Sequence, residues 1–417
     1  GRLLGIVGRA SFEKRGRVNV GVGYAISIHQ AKNFLGYLRS GRIVDHATLG
    51  ATYATDPGGG VRITNILENC DAYRRGLRYA DEVLELDGRV VQTANDLQNV
   101  LGTLPSGWRV KMSFRHEGET KDTVVRLAGV HGRDELLEKM AGALPPPPPR
   151  PQTPDRDEGE QERDNSQDPD NDGDEKNPIR RPKAAPRTVK PPAKLPRAVA
   201  DLLEQRKGYA NYYFNLQQQQ AFIDSLRAQF PTAASSDGSP AGEDLAWVIE
   251  GETVEPQPRS VFIRVGSGKN AMVVGDFPIE AQSKADMYDE VDDQSVGGIL
   301  PALDAWRRMI ESGPKKFGEC YDLGEVPLAG ERPLRHCMVG IDGEMEIRWL
   351  THPQSRLVEA IEVFADRDRD PAELWLGRDS DDAAKPPSLL DLRYGVDSAL
   401  QIKISSWKRV PESELDQ

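Results

Sequence analysis

The apolar positions fall into short alternating runs broken by polar turns, with stretches at helical spacing between them. "LLGIVG" at 3–8 and "VNVGVGYAISI" at 18–28 read as two strands, joined by the polar and basic "RASFEKRGR" as a hairpin loop. Repeated glycine in both runs points to tight packing or close backbone approach. "SIHQAKNFLGYLRSGR" at 27–42 reads as a helix, with Phe34, Leu35 and Leu38 on one face and Gly41 ending it. Two strands and one helix cannot bury a core alone. This stretch is therefore expected to be the end of a domain that begins elsewhere.

A second pattern occupies residues 44–130. A strand is predicted at 61–67 and a short helix at 69–77, with Asn69 able to cap it and Gly76 to end it. Residues 81–91 read as a hairpin turning at Asp87-Gly88. A helix follows over 93–105, where Thr93 and Asp96 have near capping-box spacing and Leu97, Val100, Leu101 and Leu104 form the apolar side. A closing hairpin turns at His116-Glu117-Gly118.

Residues 131–194 change character. "LPPPPPRP" favours extended polyproline, 155–175 is dominated by Asp and Glu, and 180–197 carries Arg, Lys and Pro without acids. Such composition cannot offset the entropy of ordering, so a disordered linker is expected. From 195 on the pattern is again that of a folded region. It opens with a long helical stretch broken near Gly208 and continues with strands at 245–251, 260–265 and 270–277. A helix at 297–312 comes next, then consecutive strands with turns at Asp342-Gly343 and His352-Pro353, and a last strand in "SALQIKISSWKRV". The outline is an antiparallel sheet with helices against one face.

Composition narrows the function classes. The chain has 417 residues and a formal net charge of -12, which opposes general attraction to nucleic acid or anionic membrane. Three cysteines are too few for a disulfide scaffold, although Cys320 and Cys337 share one region and could pair. No apolar run approaches the roughly 20 residues of a membrane span. "DRDRDPAELWLG" begins like a calcium loop but has Pro371 where that loop needs glycine and Gly377 where it needs a bidentate Glu. Cys320, His336, Cys337 and His352 have no paired-ligand spacing for zinc. No metal and no cofactor is expected.

"LLGIVGRA", "VNVGVGYAIS" and the helix "HQAKNFLGYLRSGR" resemble the end of a trypsin-like serine protease domain of the HtrA (Deg) family. "TLGA" at 48–51, "GGGVRITNILENCDAYRRGLRYADEVLELDGRVV" and "TANDLQNVLGTLPSGWRVKMSFRHEGE" resemble the PDZ domain that follows it there. The resemblance implies residues 1–43 as the remnant of an all-β protease barrel and 44–130 as an α+β PDZ domain. It also implies a bacterial periplasmic or envelope location. The family's nucleophile sits in a Gly-x-Ser-Gly-Gly loop, and the chain contains no such motif, so no catalytic residue is assigned. The parent protein is expected to be a serine endopeptidase of protein quality control, and the rival reading is a non-catalytic binding protein for peptides or lipoproteins.

The same resemblance assigns two binding regions. Gly8, Arg9 and Ala10 would lie on the edge that pairs with a substrate backbone, with Gly23 and Tyr24 near the adjoining pocket wall. Thr48, Leu49, Gly50 and Ala51 would hold a peptide carboxylate on successive backbone N–H groups. Leu97 and Leu101 would line the groove for an apolar terminal side chain, and Ala51 would leave it wide. Peptides or unfolded chains are the expected partners.

"RLVEAIEVFADRDRDPAELWLGRDSDDAAKPPSLLDLRYGVDSALQIKISSW" resembles the half-barrels of LolA-like lipoprotein-sorting carriers. That resemblance implies an α+β antiparallel half-barrel over 195–417 and an apolar hollow for a lipid or lipoprotein acyl chain.

Overall fold

The computed structural model describes residues 3–15, 18–142, 200–229, 245–254, 257–282, 296–366 and 369–415. The chain divides into a large body, Gly1–Leu137 with Leu203–Gln417, and a smaller one, Glu138–Leu202. Apart from one helix, all the elements below belong to the large body.

The chain opens with β1 (Gly5–Arg15) and β2 (Val18–Ser27), an antiparallel ribbon, and then α1 (Ile28–Ser40). The polar stretch expected as a loop instead continues β1 to Arg15, because the ladder pairs Lys14 with Asn19 and Arg15 with Val18. Helix α1 starts where Ser27 Oγ accepts from Gln30 N–H, and ends at Gly41 in the left-handed conformation.

Next come β3 (Ala47–Thr48), β4 (Ala51–Thr55), β5 (Val61–Ile66), α2 (Asp71–Arg74), β6 (Glu82–Leu86) and β7 (Arg89–Val90). After them stand α3 (Ala94–Gly102), β8 (Arg109–His116), β9 (Glu119–Arg126) and β10 (Ala128–Gly129). The sheet order is β4-β5-β6-β8-β9, with β7 added to β6 and β3 paired to β10. The Asp87-Gly88 turn has both φ angles positive, at 50° and 72°, as a tight hairpin requires. Thr93 and Asp96 close the expected capping box on α3. The helix expected at 69–77 is shorter, and Cys70 rather than Asn69 stands at its N-cap, without a side-chain bond.

Residues 133–142, inside the expected disordered span, form a helix, α4 (Arg133–Gly142). Asp134 and Glu135 in its first turn and Lys139 in its last suit the helix dipole. The rest of that span, 143–194, lies outside the described residues.

Within the long helical stretch expected from 195, α5 (Tyr212–Arg227) is a helix capped by Asn211. Before it the chain turns through Gly208, at φ 92°. Then come β11 (Leu245–Thr253), β12 (Ser260–Val265), β13 (Lys269–Val274), β14 (Phe277–Gln282), α6 (Ile299–Ser312) and α7 (Pro314–Phe317). The last elements are β15 (Glu319–Leu328), β16 (Glu331–Asp342), β17 (Met345–Thr351), β18 (Val358–Phe364), β19 (Ala372–Gly377), β20 (Leu389–Tyr394), β21 (Asp397–Pro411) and α8 (Glu412–Leu415). The strands β11 to β21 form one 11-stranded antiparallel sheet in the order β14-β13-β12-β11-β21-β20-β19-β18-β17-β16-β15.

Helix α6 touches β12 and β13 near one end of this sheet and β18 and β19 well along it. Six strand spacings separate β13 from β18, about 29 Å if flat, whereas a helix with side chains is about 10–12 Å across. The sheet therefore curls around α6, whose residues from Ile299 to Ile310 are all buried. Trp306 packs edge-on against Trp247 and Trp407, at 5.4 and 6.0 Å between ring centroids. Side chains of α6 thus occupy the hollow in which the LolA-like resemblance put an acyl chain. The charges on α6 are matched: Asp304 takes Arg308 Nε at 2.7 Å, and Arg308 also reaches Asp342 at 2.6 Å.

The edge strand β15 is covered by polar seating. Asn215 Nδ2 donates to Asp322 C=O at 2.8 Å, and its Oδ1 accepts from Asp322 N–H at 2.9 Å. One side-chain amide thereby does the work of a neighbouring strand. Gly36 of α1 lies against the same strand so closely that a Cβ there would sit 2.5 Å from Glu325 N.

Strands β16, β17 and β18 are buried on both faces. Met338, Ile347, Trp349, Val358, Ile361 and Val363 face the core around α6. Cys337, Val339, Leu350 and Ala360 face the other way, into a second core with Tyr37, Trp108, Val110 and Met112. This double burial explains the uninterrupted apolar run Cys337–Met338–Val339 in β16. The three cysteines are free and buried.

Candidate functional site

Strand β4 is the open edge of its sheet: β5 pairs it on one side, and among the described residues no strand pairs it on the other. Two backbone bonds fix the alternation of the ladder. Leu67 N–H donates to Gly50 C=O at 2.9 Å, and Asp56 N–H donates to Gly60 C=O at 3.0 Å. Ala51 opposite Ile66 and Tyr53 opposite Ile63 are then non-hydrogen-bonded pairs, with a register shift between them. Their N–H and C=O groups turn away from β5, toward the open side. Ile63 agrees with this phase, since its own backbone bonds run to Ala80 and Asp81 instead.

Helix α3 runs beside that edge. Thr55 Oγ1 accepts the Ala94 N–H at 2.9 Å, which ties the end of β4 to the first turn of α3. The space between edge and helix is the candidate groove, with the loop Thr48–Leu49–Gly50–Ala51 at its head. Gly50 stands at φ 74°, in the left-handed region, and a Cβ there would meet Cys70 Cβ at 2.6 Å. Glycine is needed at this position on both counts. Thr48 Oγ1 accepts the Gly50 N–H at 3.2 Å, and Leu49 is anchored in the core at 2% exposure.

Leu97 and Leu101, expected to line the groove, are 0% and 2% exposed and pack in the core with Leu104 and Trp108. The side chains that reach across the groove are Tyr53 and Gln98, with Tyr53 Oη donating to Gln98 Oε1 at 2.9 Å. Burial raises the Tyr53 phenol above its ordinary value. Sequence reading missed both residues. The available signal was Tyr53 two places after Ala51, hence on the same face of the strand.

Gly8, Arg9, Ala10, Gly23 and Tyr24 all lie in the β1–β2 ribbon. Arg9 is paired with Tyr24 and Ala10 with Gly23, and the register shifts between Val7 and Arg9, at Gly8. The expected residues therefore fall on two separate sets of elements: the ribbon holds five, and residues 48–51 with α3 hold the rest.

On the far side from β4 the same sheet carries an ionic network against the long sheet. Arg109 Nη1 lies 2.7 and 2.6 Å from the two carboxylate oxygens of Glu373, and its Nη2 donates to Gly395 C=O at 2.8 Å. Arg126 Nη2 reaches Glu362 at 3.0 Å, and Asp71 Oδ2 accepts the Arg126 N–H at 2.6 Å. Arg75 spans Asp71 and Asp370. Burial pushes the Glu362 carboxyl up, but Arg126, Arg348 and Arg109 together hold it below the usual range. This network is structural: it fixes the sheet of β4 without entering the groove. Among the described residues no cluster of His, Cys, Asp and Glu is arranged to hold a metal ion. No helix among them is long and apolar enough to cross a membrane.

The PDZ domain family matches residues 35–127. A probable periplasmic serine endoprotease, DegP-like, from Chlamydia trachomatis is 26% identical over 134 residues, covering 29% of this chain and 27% of that protein. Its counterpart from Chlamydia muridarum matches to the same extent. The chain thus spans about a quarter of the length of these curated relatives. Among solved structures, the HtrA-type protease AlgW with decapeptide is similar over 31% of this chain and 42% of its own, at 16% identity and a TM-score of 0.25. A LolA superfamily protein from Nitrosomonas europaea is similar over 47% of this chain and 96% of its own, at 10% identity and a TM-score of 0.29.

Proposed function

We propose that the groove between β4 and α3 captures an extended peptide by adding it as a strand to β4, with the peptide's C-terminal carboxylate at the Thr48–Ala51 loop. The observation that carries this is the open edge of β4, with the backbone groups of Ala51 and Tyr53 turned outward beside a helix. Gly50 lets the loop fold its N–H groups toward an anion, as a nest does. Peptide binding by a PDZ domain accords with the family match over 35–127.

The finer reading is that this PDZ domain serves an HtrA-like serine endopeptidase of the bacterial envelope, delivering substrate to a protease domain of which β1 and β2 are part. The ribbon residues Gly8, Arg9, Ala10, Gly23 and Tyr24 would then border the substrate cleft. The match to proteins named as periplasmic DegP-like endoproteases supports it. The alternative is a non-catalytic binding protein. Cleavage of unfolded casein by the longer protein favours the endopeptidase, and its absence in a correctly folded protein favours the alternative.

The groove itself is tested by calorimetric titration of hydrophobic-ended hexapeptides with free and with amidated C-termini. Tighter binding of the free form is expected. Equal affinity for both would rule out carboxylate capture.

A further inference from the structure

The two walls of the groove are bridged by the protein's own side chains. A strand added to β4 lies about 4.8 Å from it. Beside that space the Tyr53 side chain bridges from β4 to α3, its hydroxyl bonding Gln98 at 2.9 Å. One turn of α3 earlier, Thr55 Oγ1 holds the Ala94 N–H at 2.9 Å. At the head of the groove, Thr48 Oγ1 accepts the Gly50 N–H at 3.2 Å, the kind of donor that a carboxylate oxygen would take. The protein's own side chains therefore meet three demands that a ligand would otherwise meet.

We propose that Tyr53 and Gln98 form a latch that sets the affinity and reach of the groove, a reading that rests on peptide capture there. With the latch closed, only the head of the groove near Thr48–Ala51 is open to a chain end. A longer segment must break the Tyr53–Gln98 bond and swing the phenol aside before it can pair with Tyr53's outward backbone groups. Ligand affinity is reduced by the fraction of molecules with the latch shut. Tyr53 is half-buried, but its bond to the exposed Gln98 lies at the surface, so opening strands no buried polar group, and water satisfies the freed hydroxyl and amide. The latch is thus weak enough for a peptide to open and strong enough to discriminate.

The test uses the 417-residue chain and a hexapeptide with a free apolar C-terminus, titrated against wild type, Tyr53→Phe, Gln98→Ala and the double variant. Tyr53→Phe removes only the hydroxyl and keeps the ring that packs on the core. Each single variant is expected to bind a fewfold to about tenfold tighter, the scale of one hydrogen bond. The double variant is expected to gain no more than either single one, because both remove the same bond. Unchanged or weaker binding in both single variants, with wild type binding normally, would overturn the latch and leave the groove standing. Binding by none of the four proteins would overturn the groove reading and the latch with it.

Discussion

Arg109 closes on Glu373 from 264 residues away, one guanidinium nitrogen lying 2.6 and 2.7 Å from the two carboxylate oxygens, with both side chains buried. Glu362 stands 4.0 Å from the same nitrogen, and Glu373 and Glu362 together hold Arg109 above its ordinary value against the cost of burial. Arg109→Met would leave two buried carboxylates short of a partner. The expected loss is about 3–5 kcal/mol of unfolding free energy in urea. Adding Glu373→Leu should restore most of it. A double variant as unstable as the single one would mean that the cation, not the pairing, is what the fold requires.

Asp71 gives the same network a pH dependence. Burial pushes its carboxyl up, but Arg75, the Arg126 N–H, Arg74 and the Arg126 charge outweigh burial and leave it below its ordinary value. A depressed acid stabilises fully above its unfolded value, about 3.9, and loses that contribution as pH falls through the lower folded value. Asp71→Asn should therefore cost about 2–4 kcal/mol at neutral pH. The gap from wild type should narrow steadily below about pH 4. Urea midpoints across that range provide the check, and a gap that stays constant with acid would contradict it.

Gly50→Ala addresses the head of the groove. The new Cβ meets both a φ of 74° and Cys70 Cβ at 2.6 Å. A loss of about 1–3 kcal/mol in stability is expected from backbone strain at this position. Hexapeptide affinity should fall by about tenfold or more, because the loop must shift where the carboxylate would bind. Preserved affinity with lowered stability would place the carboxylate elsewhere.

Arg378 should respond in the opposite direction. Its Nε and Nη2 are buried without a hydrogen-bond partner among the described residues, while Nη1 donates to Lys385 C=O at 2.7 Å. Burial pushes its guanidinium down to about 10. A base depressed in the fold binds fewer protons folded than unfolded, so its charge detracts from stability at neutral pH and the penalty lifts only in strong alkali. Arg378→Met is expected to raise stability by about 1 kcal/mol, read as a higher melting temperature. A lower melting temperature would show that the single bond to Lys385 outweighs the buried charge.

What the sequence made legible was local. The Asp87-Gly88 turn and the Thr93–Asp96 capping box depend on neighbours within three residues, and both took the expected form. The alternation in β8 was equally readable, but Arg109 at its start looks like any surface arginine until Glu373 is placed beside it. Gly36 reads as an ordinary position in an amphipathic helix, and its contact with Glu325 depends on a strand nearly 300 residues later. Leu97 and Leu101 have the spacing of groove-lining residues and of core residues alike. Only the fold separates the two, through Gln98 reaching Tyr53 while the leucines turn inward.

Strands β16–β18, buried on both faces, give the molecule a seam that does not follow the order of the chain. The core on one face is shared with residues before 138, and the core on the other is built from residues after 203. Residues 3–137 and 203–415 are therefore held by packing and charge, not by the peptide that joins them. Hydrolysis of a bond within 143–199 would make two chains of one and still leave a single particle. Any protease acting there would change the protein's length on a denaturing gel long before it changed its size in solution.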